Sequence, residues 1–308
     1  MAVSPLRALA VCAALVAHPA AAQDSAYTYQ GVTQIFSNDW YGMPVGDRFD
    51  RWRTGSYQLS ALWGQDWDGS LPDRPFALIE TRVRAEIIAP DNLAVPAADD
   101  RLYAPALYFG ASTHFERAAF EFSLGADIAI LGDQTGLMGL HDSIHQAFGG
   151  TPVDLSSFMI EDGVYFNATA EVGRSFDLGT SDLRPFVEAQ AGVETLVRAG
   201  ADIRLGNYDS GAFLVRDVVT GQRVVALPGD SVSGWSFSAG ADVAYVHESA
   251  LLPAQGPDLE EMRLRARGAV HYGFGPADLS YGITYLSEEF VTQPEGQLVG
   301  TLSLMLRF

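Results

Sequence analysis

AAFEFSLGADIAI, residues 118–130, alternates apolar and polar side chains along most of its length. Phe120 and Phe122 begin an apolar series at every second position, while Glu121 and Asp127 belong to the polar series between them. Successive side chains of a β-strand point to opposite faces of the sheet, whereas an amphipathic helix needs apolar residues three or four positions apart. The stretch therefore predicts a long β-strand with one apolar face and one polar face.

The same alternation recurs in residues 164–173, 262–272 and 278–286. In 262–272 the polar face carries three arginines, opposite Leu264 and Ala266. Strands of soluble proteins average about 5–6 residues, whereas a strand that crosses a bilayer needs about 9–11. Long strands of this kind favour a barrel with lipid outside and a polar lumen. The alternative is a soluble β-protein, which would hide its apolar face and expose the polar one.

Twelve strands of this type predict an all-β fold, a 12-stranded antiparallel transmembrane β-barrel with a short helix in an extracellular loop. The predicted strands are 27–36, 53–63, 76–89, 102–114, 117–130, 160–175, 183–194, 195–206, 233–247, 260–273, 277–288 and 298–308. The last strand ends on an aromatic residue, as bacterial outer-membrane barrels do. Residues 207–232 stay open: they either extend strands eight and nine or form a hairpin of their own.

Residues 1–22 have the features of a secretory signal peptide, with one cation, a short apolar run and a final Ala-Ala-Ala. Its removal would leave residues 23–308 as a single barrel domain. The only cysteine, Cys12, lies in the removed segment, which fits the bacterial cell envelope and excludes a disulfide scaffold. A net charge of −19 argues against nucleic-acid binding.

With both termini in the periplasm, the odd-numbered strands run outward. The predicted outer loops are then 37–52, 90–101, 132–159, 248–259 and 289–297, and the predicted tight periplasmic turns are 115–117 and 274–276. Within 132–159, residues 136–148 (GLMGLHDSIHQAF) space their apolar residues as a helix does. Gly149-Gly150 would end this helix.

His141 and His145 are four residues apart on the predicted helix, so they share a side of it. This spacing allows a shared zinc ion, but the glutamate of an HExxH motif is missing. Two ordinary surface histidines are a second interpretation. In the third, His145 is a general base, because a neutral imidazole near pH 7 can take a proton from water.

The loop 37–56, SNDWYGMPVGDRFDRWRTGS, is the densest polar stretch of the outer side. Asn38-Asp39 is typical of a turn, which is the simplest interpretation of the pair. However, Thr54 starts the second strand directly across the hairpin from it. Carboxylate, amide and hydroxyl oxygens gathered on adjacent strand ends suit a hard cation such as Ca²⁺. Asp39 and Thr54 are therefore candidate metal ligands.

A serine nucleophile is a further alternative, although the sequence has no GxSxG motif. Ser56, Ser60 and Ser143 are its candidates. Charged side chains that face the lumen predict a plug of mutually paired charges rather than an open pore. They are Arg263, Arg265, Arg267, Glu80, Arg82, Arg84 and Glu86.

The chain resembles the outer-membrane lipid A 3′-O-deacylases over essentially all of 23–308. The resemblance rests on six segments in order. They are SNDW (37–40), DRFDRWRTGS (47–56), DRLYA (100–104), the helical loop from His145 to Gly149, RLGN (204–207) and FVTQ (290–293).

The resemblance implies a twelve-stranded enzyme that uses Ca²⁺ and hydrolyses the ester of the 3′-linked acyloxyacyl chain of lipid A. By the same resemblance, His145 would be the general base and Asp39 and Thr54 would help to hold the ion. Asn38 and the ion would stabilise the oxyanion that develops on the ester carbonyl. The implied location is the outer membrane with the site facing the cell exterior, and a monomer is expected.

This sequence departs from the family at three places. His141 stands where family members have glutamine, the loop 91–100 is acidic rather than basic, and residues 150–153 lack the family's aromatic side chains. Because these groups would contact the sugars and phosphates, the departures predict a changed substrate preference. Two other functions stay open: a non-enzymatic barrel that binds or passes small solutes, and a serine-type outer-membrane phospholipase.

Overall fold

A computed structural model of the protein describes residues 27–42, 51–147, 152–206, 211–229, 233–275 and 277–307. The predicted signal peptide, the predicted helix end at Gly149-Gly150 and the C-terminal Phe308 lie outside these described residues. Among them, no helix is both long and apolar enough to cross a membrane.

Fifteen strands and one α-helix form the described fold. The strands are β1 (Thr28–Asn38), β2 (Trp52–Gly64), β3 (Leu78–Ala89), β4 (Ala104–Arg117), β5 (Phe120–Leu131), β6 (Gly163–Gly173), β7 (Phe176–Asp177), β8 (Ser181–Ala191), β9 (Glu194–Gly206), β10 (Phe213–Arg216), β11 (Arg223–Leu227), β12 (Gly234–Ser249), β13 (Met262–Phe274), β14 (Ala277–Leu286) and β15 (Gln297–Leu306). The helix α1 (Leu137–Ala147) lies between β5 and β6, as predicted.

The sheet closes on itself into a barrel. Hydrogen-bonded neighbours follow the order β6-β5-β4-β3-β2-β1-β15-β14-β13-β12-β9-β8, and β8 pairs back with β6. The short strand β7 also pairs with β8, and so continues the wall position of β6 after a break. This confirms the prediction of a closed, twelve-stranded antiparallel barrel. Closure pairs the backbone groups of every wall strand, which a lipid environment requires.

The apolar series of the wall strands points outward. Ile128 is 52% exposed and Phe166 is 69% exposed, as are many other large apolar side chains of the wall. In water this surface would be unfavourable, but against lipid tails it removes apolar area from water. The same strands turn polar side chains inward, and Gln58, Ser60 and Glu80 are fully buried.

The barrel has two distinct ends. We call the end that holds Thr28 of β1 and Leu306 of β15 the terminal end, and the opposite end the loop end. The prediction of a tight turn at 115–117 is wrong, because β4 continues through Arg117. Ala118 and Ala119 make the turn with φ angles of 54° and 62°. The rings of Phe115 and Phe122 stack 5.1 Å apart and keep these two strands paired almost to their ends.

The open question about residues 207–232 is answered by a second, two-stranded sheet. β10 and β11 pair only with each other and lie inside the barrel. The hydroxyl of Thr33 on β1 donates to the carbonyl of Val225 at 3.0 Å, and the hydroxyl of Ser37 donates to Asp217 at 3.1 Å. The hairpin therefore enters from the terminal end and reaches the level of Ser37, close to the loop end. We call β10, β11 and the turn between them the lumenal hairpin.

Paired charges fill much of the remaining lumen, as predicted. Arg265 on β13 donates to Asp242 at 2.9 Å, and Arg267 pairs with both Asp202 and Asp242. Arg82 contacts Glu80 on its own strand, whereas Arg263 reaches Glu194 on β9. Most of the lumenal arginines thus have carboxylate partners on the barrel wall, and polar side chains fill much of the lumen of the described residues.

Candidate active site at the loop end

The end of β1 is shaped by Asn38. Its side-chain oxygen accepts a hydrogen bond from the backbone N–H of Trp40 at 2.8 Å, so it caps the 3₁₀ turn Asp39–Tyr41. This is the turn role that the sequence allowed for the Asn-Asp pair. This bond uses only the oxygen of the Asn38 side chain, so the two N–H donors of the amide are not part of it.

Asp39 is the one buried residue of this 3₁₀ turn, with 5% of its surface exposed. Its carboxylate accepts a hydrogen bond from the backbone N–H of Arg51 at 2.9 Å. That bond ties the end of β1 to the start of β2. The carboxylate thus lies at the strand end for which the sequence predicted a metal ligand, and that prediction stays untested.

The start of β2 is irregular. The pairing of β2 with β3 shifts register between Trp52 and Gly55, and Trp52 has a φ of 50°. A positive φ is costly for a bulky residue, and such strain persists only where its surroundings enforce it. The Trp52 ring packs with Leu252 and Phe290 and so enforces it here. Thr54 lies within this distorted stretch.

The hydroxyl of Thr54 is buried and has no hydrogen-bond partner among the described residues. A buried unsatisfied hydroxyl costs about 1–3 kcal/mol, so such a group calls for an explanation. Asn38 on β1 pairs with Gly55 on β2, and the same antiparallel register places Asp39 opposite Thr54 just beyond the last pair. The structure therefore brings Asn38, Asp39 and Thr54 together, as predicted.

The two histidines lie on α1. The Nδ1 atom of His141 is 3.1 Å from the hydroxyl of Tyr103, and the His141 ring meets the His145 ring edge to face at 4.6 Å. His141 is buried, whereas His145 is partly exposed on the next turn. His141 is thus not a free surface histidine, and it separates Tyr103 from His145.

Tyr103 connects α1 to the barrel wall. It directly precedes β4, and its side chain packs with Ala89, Val153 and Leu155. Wall positions β2 and β4 are two strands apart, with about 4.8 Å between neighbouring strands. The helix with its histidines and the Asp39–Thr54 pair therefore occupy the same sector of the loop end, where Tyr103 holds the helix to the wall.

A buried cluster of charges lies next to this sector. The guanidinium of Arg53, on β2, donates to Glu289 at 2.7 Å and contacts Glu86 at 3.2 Å, and the fully buried Arg101 also pairs with Glu289. Burial opposes ionisation of Glu289, but Arg53 and Arg101 hold the pKa of this carboxyl well below its usual range. Burial lowers the pKa of Arg101 to about 10, despite Glu289. The loop after β14 is thereby fixed to the start of β2.

The donor set near Asp39 suits a hard cation better than zinc. No three His, Cys, Asp or Glu side chains of the described residues group as a site for any metal ion, so a cation here would also need hydroxyl and carbonyl oxygens. Ca²⁺ accepts hydroxyl and carbonyl oxygens beside carboxylates, and the buried Thr54 hydroxyl is such a donor. The chemistry of the residues present therefore fits calcium.

Two of the three candidate serines are engaged elsewhere, while Ser56 lies on β2 beside Arg53. Ser143 donates to the carbonyl of Gly139 on α1 at 2.7 Å, and Ser60 donates to Glu80 inside the lumen. A Ser–His hydrogen bond that the sequence did not indicate joins Ser238 to His271 at 3.0 Å. Asp278 is 3.9 Å from the other nitrogen of His271, beyond hydrogen-bond reach, so these three do not form a catalytic triad.

Sequence reasoning missed two features of the site. One is the contact of Tyr103 with His141, and the other is the Arg53–Glu289 pair. The segment DRLYA was noted only as a motif, and a tyrosine at the start of a strand is common in any β-protein. Arg53 and Glu289 are 236 residues apart, so no local pattern could have joined them.

One family model and several solved structures match this chain. The family described as outer membrane protein LpxR matches residues 9–308. LpxR from Salmonella typhimurium has a TM-score of 0.74 at 18% identity, covering 90% of this chain and 100% of that chain. The KdgM porin has a TM-score of 0.42 at 5% identity, covering 90% of this chain and 99% of that chain. The NanC porin has a TM-score of 0.40 at 4% identity, with 91% and 98% covered. Comparison with curated protein sequences finds no match.

Proposed function

Because this chain belongs to the LpxR family of outer-membrane proteins, we propose that it is a hydrolase that removes the 3′-linked acyloxyacyl chain from lipid A. The observation that carries the proposal is the sector at the loop end. There the Asn38–Asp39 pair, the unpartnered hydroxyl of Thr54 and the two histidines of α1 come from three separate parts of the chain.

In the proposed reaction His145 takes a proton from a water molecule, and the water oxygen attacks the ester carbonyl carbon. The Asn38 amide donates to the oxygen that becomes negative, and its orientation is already fixed by the cap to Trp40. When the C–O bond to the leaving alcohol breaks, the protonated His145 returns the proton to that oxygen. The products are the free fatty acid and the deacylated lipid A.

Asp39 and Thr54 are the residues that would hold Ca²⁺. The ion would supply positive charge near the ester carbonyl, which polarises it toward attack. The burial of Asp39 and the unpartnered Thr54 hydroxyl support this assignment. Both residues lie next to Asn38, so the Asn38 amide and the bound ion would act on the same ester carbonyl oxygen.

The surroundings suit a lipid substrate. Phe36, Trp40 and Tyr41 form an exposed aromatic group beside Asn38, and Tyr281 from β14 donates to the carbonyl of Tyr41 at 2.6 Å. Aromatic side chains concentrate at membrane–water interfaces. We therefore expect the loop end to face the cell exterior as a monomeric barrel, with the scissile ester at headgroup level.

The test is to express the protein in bacteria that lack a lipid A deacylase and to measure lipid A masses. The wild-type protein should produce the species that lacks one acyloxyacyl group, and His145→Ala should not. His247→Ala is the matched control, since His247 is an exposed histidine near the loop end of β12, outside the described site. This control should behave as the wild type.

Removal of Ca²⁺ from the purified wild-type protein with a chelator should abolish release of the fatty acid, and added Ca²⁺ should restore it. Unchanged lipid A masses on expression of the wild-type protein would contradict the proposed function. Activity that survives chelation but is lost in His145→Ala would keep the hydrolase and reject the calcium site.

A further inference from the structure

A cavity of about 370 Å³ lies in the terminal half of the lumen, between the barrel wall and the lumenal hairpin. Its lining includes Ser70, Glu116 and Ser175, which are exposed at the terminal end. Trp67 and Phe213 form part of its apolar wall. The cavity is thus open toward the terminal end, on the opposite side of the barrel from the candidate active site.

Six arginines line this cavity: Arg82, Arg84, Arg184, Arg204, Arg216 and Arg223. Five of them have carboxylate partners. Arg82 pairs with Glu80, Arg84 with Glu86, Arg184 with Glu121 and Glu171, Arg204 with Asp182, and Arg216 with Glu171 and Asp202.

Arg223 is the exception among these six arginines, because its guanidinium has no hydrogen bond and no ion pair with any described residue. It stands directly opposite Arg216 in the lumenal hairpin. Like charges directly opposite each other destabilise a β-hairpin. Arg216 is compensated by Glu171 at 2.8 Å and Asp202 at 3.0 Å, whereas Arg223 is not.

The carboxylates nearest to Arg223 are already in use. Glu121 accepts from Arg184 at 2.6 Å and from Ser175 at 2.6 Å, and Asp202 is shared between Arg216 and Arg267. An uncompensated cation in a largely enclosed polar cavity is costly unless an anion joins it. Glu121 and Asp202 still attract the Arg223 charge, but neither forms an ion pair with it, so its donors remain available to a bound anion.

We propose that this cavity binds an oxyanion of the phosphate class, held by Arg223 with Arg184 and Arg216 beside it. A guanidinium presents parallel N–H donors that match two oxygens of one phosphate. The open terminal end would admit the anion, and the volume leaves room for a phosphate monoester as well as for free phosphate. Binding would neutralise the Arg216–Arg223 pair and hold the lumenal hairpin in place.

The test uses the full-length barrel in non-ionic detergent and phosphate-free buffer at constant ionic strength. Inorganic phosphate is titrated in one arm and dihexanoyl phosphatidic acid, below its micelle concentration, in the other. The readouts are calorimetry and the fluorescence of Trp67, which lines the cavity. Saturable binding of either probe at one site supports the proposal, and the two arms distinguish a free anion from a lipid headgroup.

Arg223→Gln should weaken binding by roughly tenfold or more, since it removes a charged donor pair. The control Arg117→Gln removes the same charge from an exposed position at the same end, outside the cavity, and should bind as the wild type. Arg223→Lys, which keeps the charge and the fold but loses the parallel donors, should be intermediate. The absence of saturable binding, or equal weakening by Arg223→Gln and Arg117→Gln, would overturn the proposal.

Discussion

Asn38 performs two tasks with one side chain. Its oxygen caps the 3₁₀ turn through Trp40, and this bond fixes the plane of the amide. Its nitrogen then lies against Gly55, where an added Cβ would be 3.2 Å from it. A side chain at position 55 would press on the amide, so the glycine leaves space for it.

Gly55→Ala should displace the Asn38 amide by a few tenths of an ångström and lower the deacylation rate by about 10-fold or more, because misplaced oxyanion donors lose much of their effect. The initial rate of fatty-acid release measures this. Gly268→Ala is the matched control, since an added Cβ there makes only an ordinary contact at 3.8 Å. Equal rates in the two variants would show that the amide is not a donor in the reaction.

His141 is one of the three positions at which the sequence is expected to depart from the family, and the structure gives it a definite place. It is buried against Tyr103 and touches the ring of His145. A side chain so placed orients its neighbour rather than contacting a sugar. The sequence predicted a change of substrate preference from this departure, and that prediction stays untested.

At the scale of elements, α1 depends on its attachment to the wall. Its eleven residues form a helix too short to be stable alone in water. Met138 and His141 hold it against Tyr103, at the start of β4. The position of His145 therefore depends on this contact more than on helix propensity.

Tyr103→Phe should loosen α1, because it leaves the buried Nδ1 of His141 without the tyrosine hydroxyl. The loss of such a bond costs about 1–3 kcal/mol, so amide exchange in residues 137–147 should become about tenfold faster. Hydrogen–deuterium exchange followed by mass spectrometry measures this. Tyr165→Phe, at an exposed tyrosine of β6 whose hydroxyl has no hydrogen bond among the described residues, is the control. Unchanged exchange in Tyr103→Phe would mean that the helix is held by its apolar contacts alone.

At the scale of the whole molecule, the lumenal hairpin separates the two ends of the barrel. Its turn lies beneath the loop end, where Val219 lines a small pocket with Ser37, Arg53 and Ser56. Its strands border the arginine-lined cavity at the terminal end. One element thus touches the underside of the candidate active site and the proposed anion site.

A barrel filled in this way should not conduct ions as a porin does. Replacement of residues 213–227 by a short Gly-Ser linker should raise the single-channel conductance in planar bilayers well above that of the wild type, because it empties the lumen. The gel mobility of unheated samples would verify that the variant barrel is folded. A wild-type protein that already conducts steadily would contradict a closed lumen and would favour the solute-passing alternative.

The alternation of apolar and polar residues was sufficient to predict the barrel. Strict alternation in segments such as 118–130 and 262–272 fixes which face of each strand is apolar. Because successive side chains of a strand point to opposite faces, this pattern assigns each residue to the lipid side or to the lumen. Asn38 and Thr54, at the ends of the first two strands, could likewise be placed at one end by counting strands, since consecutive antiparallel strands alternate direction. The turn at Ala118-Ala119 was misplaced by a few residues, because two alanines carry no turn signal.

Only the tertiary structure decided where the lumenal hairpin goes and what surrounds each site residue. Residues 213–227 have the same local pattern whether they extend the wall or fold inward. Their contacts with the wall, such as Thr33 with Val225 and Gln222 with Thr284, show that they fold inward. The Arg53–Glu289 pair and the unpartnered Arg223 likewise depend on strands that meet when the barrel closes. Alternation is a local property of the chain, whereas the pairing of buried charges is set by closure, and so the sequence predicted the fold but not its interior.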